Sequence, residues 1–414
     1  MGGMPTPDDK TRSLIFLSLL CFALADVRDG LGPFLGVFLQ NKGWSPDEIG
    51  SAMTAGGFAG MLVATPFGAL SDRTAKKRRL LAAATIGIVI ACYLVFISAD
   101  TVTVWTSKII QGMLAAAIAP ALTGLTLGLV RQEGLTERLG KNEAWNHFGN
   151  CTTALLGGVV GYYHGIPGVF AVMALTALLA VLCIVCINPM QVDHDVARGL
   201  DKENQTGPPP VSSLFKDCAL IATAGTLFFF PLGNAALLPL LGQAAAPRFE
   251  VDPAVYTAST VFVAQTTMIA TSLLGARIAI KRGYGLLFIC SLVVLPIRGL
   301  VACFFDSPWS LVTVQILDGV GAGLLGVATP GIVARLLKGT GHINMGLGFV
   351  LAVQGVGAAL SSSYGGLFAR HVSYSAAFFA LALAPCVGFL LFITAARLSP
   401  LLADAASPFT RKAP

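Results

Sequence analysis

The sequence predicts an all-α membrane protein whose twelve transmembrane helices form two pseudo-symmetric six-helix bundles. Three observations support this fold class. The 414 residues have a mean hydropathy of +0.76, only 12% of them are charged, and the charges are clustered between long apolar stretches. Most stretches run about 20 residues or more, enough to cross a hydrocarbon core of ~30 Å as a helix. One long polar segment divides these stretches into two equal sets.

The apolar stretches predict the individual spans and the linker. The twelve spans cover residues 13–40, 48–70, 79–99, 101–130, 143–165, 168–188, 214–241, 254–280, 284–305, 309–337, 344–369 and 373–397. Between the sixth and seventh lies the longest polar segment, 190–213, which contains three consecutive prolines and several charges, as solvated linkers do. It separates an N-terminal half, 1–189, from a C-terminal half, 214–414.

A weak internal repeat indicates that the two halves are related. Gly161 follows Ala154 by seven residues in span five, and Gly366 follows Ala359 at the same spacing in span eleven. Two duplicated halves joined by a linker are typical of secondary transporters.

Basic residues predict the orientation of the spans. Three of the 27 Lys and Arg residues lie within spans, at Arg28, Lys108 and Arg298. Of the rest, 21 lie on the side that holds both termini, the loops after even-numbered spans and the linker, and three lie on the other side. Because cytoplasmic loops carry the excess of basic residues, both termini and the linker are expected to be cytoplasmic. This excess also accounts for the net charge of +6, so no nucleic-acid partner is expected.

The loop after span two carries the most specific motif. It reads Gly68-Ala69-Leu70-Ser71-Asp72-Arg73-Thr74-Ala75-Lys76-Lys77-Arg78-Arg79. This stretch resembles motif A of the major facilitator superfamily, which has a glycine, three residues, Asp-Arg, two residues and paired basic residues. The resemblance implies the major facilitator fold and transport by alternating access. It also implies a conformational latch between the two halves, formed by Gly68, Asp72, Arg73, Lys76 and Lys77.

Two further stretches bear on the type of carrier. Residues 108–112 of span four look like motif B of the same family, with Lys108 in place of the usual arginine. Span five contains Gly157 and Gly158 but lacks the Gly-Pro of the family's antiporter motif, which weakens an assignment as a drug–proton antiporter.

Charged residues inside spans are the candidates for proton coupling. A charge near the bilayer centre costs at least ~2.5 kcal/mol on insertion scales, so it needs a partner, a cavity or a function. Asp26 and Asp29 share one face of span one. In the family that the motif resembles, spans one, four, seven and ten line the central cavity. The resemblance therefore implies five cavity charges: Asp26, Arg28, Asp29, Lys108 and Asp318.

One of these carboxylates is expected to gain and lose a proton in competition with a cation. The sequence does not decide between Asp26 and Asp29. An ion-pair cluster that only positions span one explains the same residues.

Polar residues in the spans are the candidates for the substrate path. Glu143, His147 and Asn150 recur at helical spacing at the start of span five, where Glu143 is interpreted as an ordinary interfacial residue. The deeper residues of this set either line the path or form hydrogen bonds between helices. The candidates are His147, Asn150, Gln111, Asn234 and Arg298.

The sequence therefore predicts a secondary transporter of a small organic solute, coupled to protons. It contains no nucleophile–base pair or metal-ligand set, so we expect no enzymatic activity, no catalytic or metal-binding residues and no cofactor besides the coupling proton. We expect a monomer in the plasma (inner) membrane, with the solute and the lipid bilayer as its partners. The alternatives are an uncoupled facilitator and a non-transporting sensor on a carrier fold.

Overall fold

The computed structural model describes residues 7–29, 31, 33–200, 210–249, 253–304 and 308–408. Within these ranges the regular structure consists of α-helices and short 3-10 turns. The chain divides into two compact units. The first comprises Met1–Pro209 and Leu337–Ala352, and the second comprises Pro210–Leu336 and Val353–Pro414.

The first unit is built from five helical stretches: α1 (Pro7–Asp29), α2 (Pro33–Asn41), α3 (Pro46–Arg73), α4 (Lys77–Ile97) and α5 (Thr101–Cys186). Local sequence explains two of the helix starts. The Glu48 carboxylate accepts a hydrogen bond from the Ser45 N–H (2.9 Å) at the start of α3. The Asp100 carboxylate caps α5 by accepting one from the Thr103 N–H (3.0 Å).

The long stretch α5 contains two breaks. The backbone is not helical at Arg131 (φ 59°) and at Gly165 (φ 65°), so α5 consists of sections 101–130, 132–164 and 166–186. These sections carry the predicted spans four, five and six.

The sequence predicted a loop between spans four and five. This prediction is wrong for residues 132–142, which are helical. Leu135 and Leu139 are buried one turn apart, and Lys141 donates a hydrogen bond to the Glu137 carboxylate at 2.6 Å. Burial of one face and pairing on the other favour a helix in this segment.

The second unit contains α6 (Cys218–Asn234), α7 (Leu237–Phe249), α8 (Pro253–Arg282), α9 (Tyr284–Phe304), α10 (Pro308–Leu336), α12 (Tyr374–Leu398) and α13 (Pro400–Ala406). Helix α11 (Ile343–His371) belongs to both units, because its residues up to Ala352 cluster with the first unit and the remainder with the second.

Among the described residues, nine helical stretches are long and apolar enough to cross a membrane. Eight of them are single spans and the ninth is α5, whose two breaks divide it into three sections. Together with α1, which carries more charged residues than these stretches, they make up the twelve helices of the predicted fold.

Two predicted spans are divided. The span predicted at 13–40 ends as α1 at Asp29, and α2 then begins at Pro33. The sequence Gly30-Leu31-Gly32-Pro33 explains the interruption, because glycine is a poor helix former and proline disfavours a helical residue before it. The span predicted at 214–241 is likewise divided between α6 and α7.

The first part of the predicted linker is folded. Within residues 190–200, Val192 and Ala197 are buried, and the Asp193 N–H donates a hydrogen bond to the Gly128 carbonyl (3.0 Å). The linker therefore begins as a segment packed on the first unit, since it has small apolar residues to bury.

Each unit has its own apolar core. The first unit's core is formed by residues of α1 to α5, and the second unit's core by residues of α7, α9, α10 and α12. Many large apolar side chains point outward, including Leu62, Leu175 and Leu390. An outer surface of this kind is the one that lipid requires.

Candidate functional site

Two of the predicted cavity charges lie in the first unit beside polar partners. The Asp26 carboxylate on α1 accepts a hydrogen bond from the Thr176 hydroxyl on the last section of α5 (2.9 Å). The Lys108 ammonium donates to the side-chain oxygen of Gln111 one turn later (2.7 Å), and Gln111 is buried. Lys108 and the path candidate Gln111 therefore form one polar group on the first section of α5. The side chain of Asp29 lies outside the described residues.

A second polar group in the first unit lies on the middle section of α5. The His147 Nε2 lies 3.8 Å from the Glu143 Oε2, one helical turn away. Arg28 on α1 lies within electrostatic range of Glu143. Asn150 is half-buried on the next turn of the same section. Glu143, which the sequence interpretation took as an interfacial residue, therefore belongs to a charged cluster.

The second unit contains an enclosed charged cluster. Arg298 on α9 is 1% exposed and its Nη1 lies 3.2 Å from the Oδ1 of Asp318 on α10. The Asn234 amide on α6 donates to the same Asp318 oxygen (2.9 Å), and the Asn234 side-chain oxygen accepts a hydrogen bond from Arg298. The Arg298 Nε also donates to the Val314 carbonyl (3.2 Å). Three helices thus meet at one carboxylate, one guanidinium and one amide.

This arrangement places Arg298 in contact with a predicted cavity charge. From its sequence position Arg298 was only a path candidate, because span nine is not one of the cavity-lining spans of the family. A buried guanidinium requires hydrogen-bonding partners, and it finds them on α6 and α10. We call these three hydrogen-bonded residues, Asp318, Asn234 and Arg298, the Arg298 cluster.

The motif A residues divide into two groups. Asp72, at the end of α3, accepts hydrogen bonds from the N–H groups of Asn344 (3.1 Å) and Met345 (2.7 Å) in the first turn of α11. It also accepts one from the Asn344 side chain (2.7 Å). A carboxylate at this position satisfies two unpaired N–H groups and complements the positive end of the helix dipole.

Gly68 allows this contact, since a Cβ on it would overlap the Asn344 carbonyl. Lys77 is buried and donates a hydrogen bond to the Thr74 carbonyl (3.0 Å). Arg73 and Lys76 are exposed. Asn344, which no sequence pattern singled out, is therefore the main partner of the motif.

Sequence reasoning also missed Arg138, which it assigned to a loop. Arg138 is 7% exposed, and it donates hydrogen bonds from Nε to the Asn142 side-chain oxygen (2.8 Å) and from Nη2 to the Ser18 hydroxyl (2.7 Å). Asn142 in turn donates to the Thr126 hydroxyl (3.0 Å). This network connects α1 with two sections of α5. The spacing of four between Arg138 and Asn142 was the available signal.

The Asp72 contact makes a first prediction. Asp72→Asn keeps one acceptor oxygen but loses the charge and one acceptor to α11, a change of about 1–3 kcal/mol in the stability of this contact. We expect transport to slow while the affinity for solute stays within a few fold. Rates in proteoliposomes and affinity by solute-induced thermal shift measure the two effects.

Asp100→Asn is the matched control, because Asp100 accepts its hydrogen bonds from residues close to it in sequence, Ser98 and Thr103. If Asp72→Asn destroyed affinity and left the rate intact, the latch interpretation would be wrong.

Comparison with known proteins agrees with the geometry. The family model described as Major Facilitator Superfamily matches residues 14–295 and 223–412. Two proteins from strains of Mycobacterium tuberculosis, both described as uncharacterized MFS-type transporters, are 37% identical over 383 residues and covered over 92% of each chain.

Solved structures share the fold at low sequence identity. The outward-conformation structure of the transporter FucP aligns with a TM-score of 0.75 at 13% identity, over 94% of this chain and 99% of that one. The human organic anion transporter MFSD10 (TETRAN) aligns with a TM-score of 0.67 at 16% identity, over 94% of this chain and 100% of that one. The chain therefore belongs to the major facilitator superfamily of membrane transporters.

Proposed function

We propose that this transporter moves a small organic solute by alternating access, coupled to protons, and that Asp318 carries the coupling proton. The halves 1–189 and 214–414 would rock about a midplane site, with 190–213 as their cytoplasmic linker. The observation that supports this proposal is the Arg298 cluster, in which one carboxylate and one guanidinium lie 3.2 Å apart in the interior of a membrane-spanning unit.

The cluster has two states that differ by one proton. When Asp318 is charged, Arg298 and Asn234 both hold it. When Asp318 binds a proton, the Coulombic attraction to Arg298 is lost, and the guanidinium becomes available to an acceptor on the solute. Solute and proton then compete for, or cooperate at, the same three side chains, which is the requirement for coupling.

The first unit supplies the other polar residues of the proposed substrate path. Asp26, Arg28, Asp29 and Lys108 are proposed as charges that border it, and Gln111, His147 and Asn150 as hydrogen-bonding groups along it. The Lys108 ammonium is hydrogen-bonded to the Gln111 side chain. We therefore expect substitutions of these two residues to have similar effects on solute affinity.

The test begins with a solute screen. Purified protein is screened for thermal stabilisation, and the solute with the largest effect is followed into proteoliposomes with and without an imposed pH gradient. Accumulation above the external concentration only with the gradient supports the proposal. Uptake that stops at equal concentrations under both conditions indicates the alternative, an uncoupled facilitator.

A second prediction concerns topology, and it rests on the 21-to-3 division of basic residues. In intact cells, tags at either terminus or within 190–213 are expected to resist membrane-impermeant labels and to react after permeabilisation. A tag between α3 and α4 serves as a second cytoplasmic point, and one at Lys42 as the external control. External labelling of either terminus would contradict the predicted orientation.

A further inference from the structure

A cavity lined by basic side chains lies in the first unit, outside the proposed substrate path. It has a volume of about 250 Å³ and lies where the loop between α3 and α4 meets the segment that follows α5. Pockets for drug-sized ligands usually have volumes of ~300–1,000 Å³, so this one suits a smaller polar group. We call it the basic cavity, after the basic side chains that line it: Lys76, Lys77, Arg78, Arg79 and His194.

Lys77 is the buried cation of the basic cavity. It is 1% exposed, and its ammonium donates a hydrogen bond to the Thr74 carbonyl (3.0 Å). Asp72 lies within electrostatic range of Lys77, but its two oxygens accept hydrogen bonds from the N–H groups of Asn344 and Met345. An ammonium has three N–H donors, so Lys77 retains donors for an acceptor in the cavity.

The charges that line the basic cavity are positive and are not paired with carboxylates. Among the residues that the structure describes, none of its Lys and Arg side chains forms an ion pair. The Asp193 carboxylate pairs with Arg131 instead (3.4 Å). The Asp195 carboxylate pairs with Arg198 (2.6 Å). Helix α4 adds the partial positive charge of its N-terminus, because Lys76 at the N-cap makes no side-chain cap and the first turn has no acidic residue. An anion in the cavity would reduce the repulsion between these charges.

The basic cavity adjoins the lipid-facing surface of α5. Arg78 donates hydrogen bonds to the carbonyls of Ile184 and Val185 in the last turn of this helix (both 2.8 Å). Val185 ends an outward-facing apolar stripe whose members are 53–67% exposed and lie three or four residues apart: Leu175, Leu178, Leu182 and Val185. In a membrane-spanning helix such a stripe faces hydrocarbon. The cavity and the stripe therefore place cations directly beside an apolar surface.

We propose that the basic cavity binds the phosphate group of an anionic phospholipid, whose acyl chains lie along the apolar stripe of α5. A phosphate supplies the negative charge that the cavity lacks and several acceptor oxygens for its ammonium and guanidinium donors. Basic pockets at the cytoplasmic side of membrane proteins bind lipid headgroups in this way, and the loop between α3 and α4 is expected on that side. A free phosphate has the same charge and acceptors, but it leaves the stripe without a role.

The test measures lipid binding to the purified full-length protein in detergent. The protein is titrated with phosphatidylglycerol, or with phosphatidylcholine of the same acyl chains, and bound lipid is counted by native mass spectrometry. Both lipids contain a phosphate, but the choline cation cancels its charge and is repelled by the cavity. We expect phosphatidylglycerol to bind more tightly, and we define the preference as the ratio of the two Kd values.

Lys76→Gln combined with Arg79→Gln removes two exposed cations of the basic cavity. This double variant should lower the preference for phosphatidylglycerol by about tenfold. Lys281→Gln combined with Arg282→Gln is the matched control, because it removes two exposed cations at the end of α8, in the second unit. The control should retain the preference.

Two results of this comparison would overturn the proposal. One is an unchanged preference in the cavity double variant, and the other is an equal loss in the control, which would indicate attraction by net charge alone. If the cavity double variant cannot be purified as a folded protein, Arg79→Gln is measured by itself, and an unchanged preference there overturns the proposal equally.

Competition distinguishes a lipid from a free phosphate. Inorganic phosphate is added to the complex with phosphatidylglycerol at constant ionic strength, with chloride as the reference anion. We expect the lipid to stay bound in both solutions, because its acyl chains contribute to the affinity. Displacement by phosphate but not by chloride would assign the basic cavity to a free phosphate and overturn the lipid assignment.

Discussion

Asp318→Asn is expected to abolish accumulation of solute driven by a pH gradient while leaving exchange of solute across the membrane intact. The amide still fills the site and can accept a hydrogen bond from Arg298, but it no longer binds and releases a proton. Exchange survives because that cycle requires no net proton movement. Both activities are measured in the same proteoliposomes, with the solute identified by thermal stabilisation.

Asp26→Asn is the comparison for this experiment, because Asp26 is the other described acid among the predicted coupling residues and hydrogen-bonds to Thr176. We expect it to retain accumulation. If Asp318→Asn still concentrated solute in response to the gradient, the Arg298 cluster would not carry the proton. Loss of accumulation in Asp26→Asn alone would move the coupling site to α1.

Arg298→Ala is expected to have the largest effect on stability. Arg298 is almost completely buried and forms contacts with Asp318, Asn234 and the Val314 carbonyl. Its removal leaves the Asp318 carboxylate, which is 13% exposed, without its cation, and the loss of one partner costs about 3–5 kcal/mol in buried ion pairs. We expect most of the protein to aggregate or unfold, measured as the monodisperse fraction in size-exclusion chromatography and as the thermal midpoint.

The double variant Arg298→Met with Asp318→Leu separates lost charge from lost structure. Replacing both partners of a buried pair by apolar groups is often neutral, so the double variant should recover folded protein but not coupling. A double variant as unstable as Arg298→Ala would show that the loss does not come from an unpaired carboxylate. An Arg298→Ala protein of native stability would contradict the structural role altogether.

The twelve spans were predictable because the length and apolarity of a transmembrane helix are local properties of the chain. The sequence Gly30-Leu31-Gly32-Pro33 is also a local signal, for a break in the first span. We missed it because a span of this length was assigned from its average apolarity, which these four residues barely change. Helical residues 132–142 were missed for the opposite reason. Their charges, at positions such as Glu137 and Lys141, suggested a loop. The segment is helical because Leu135 and Leu139 lie on one face of the helix and are buried there.

The partners in the site depend on residues that are distant in sequence. Arg298 meets Asp318 and Asn234 only because α6, α9 and α10 pack together, and no periodicity within one helix contains that information. The family resemblance indicated a role for Asp72, but its partner Asn344 is 272 positions away. Arg138 was counted as an ordinary cytoplasmic cation. Its burial arises from contacts with α1, which the local sequence around Arg138 does not show.

Proton movement evoked by the solute itself tests coupling most directly. Proteoliposomes are loaded with the pH dye pyranine, prepared without a pH gradient and held at zero membrane potential, and the stabilising solute is then added outside. Proton-coupled transport predicts a change in internal pH that accompanies uptake of the labelled solute and is absent in Asp318→Asn. Uptake of labelled solute with no change in internal pH would contradict proton coupling and establish an uncoupled facilitator.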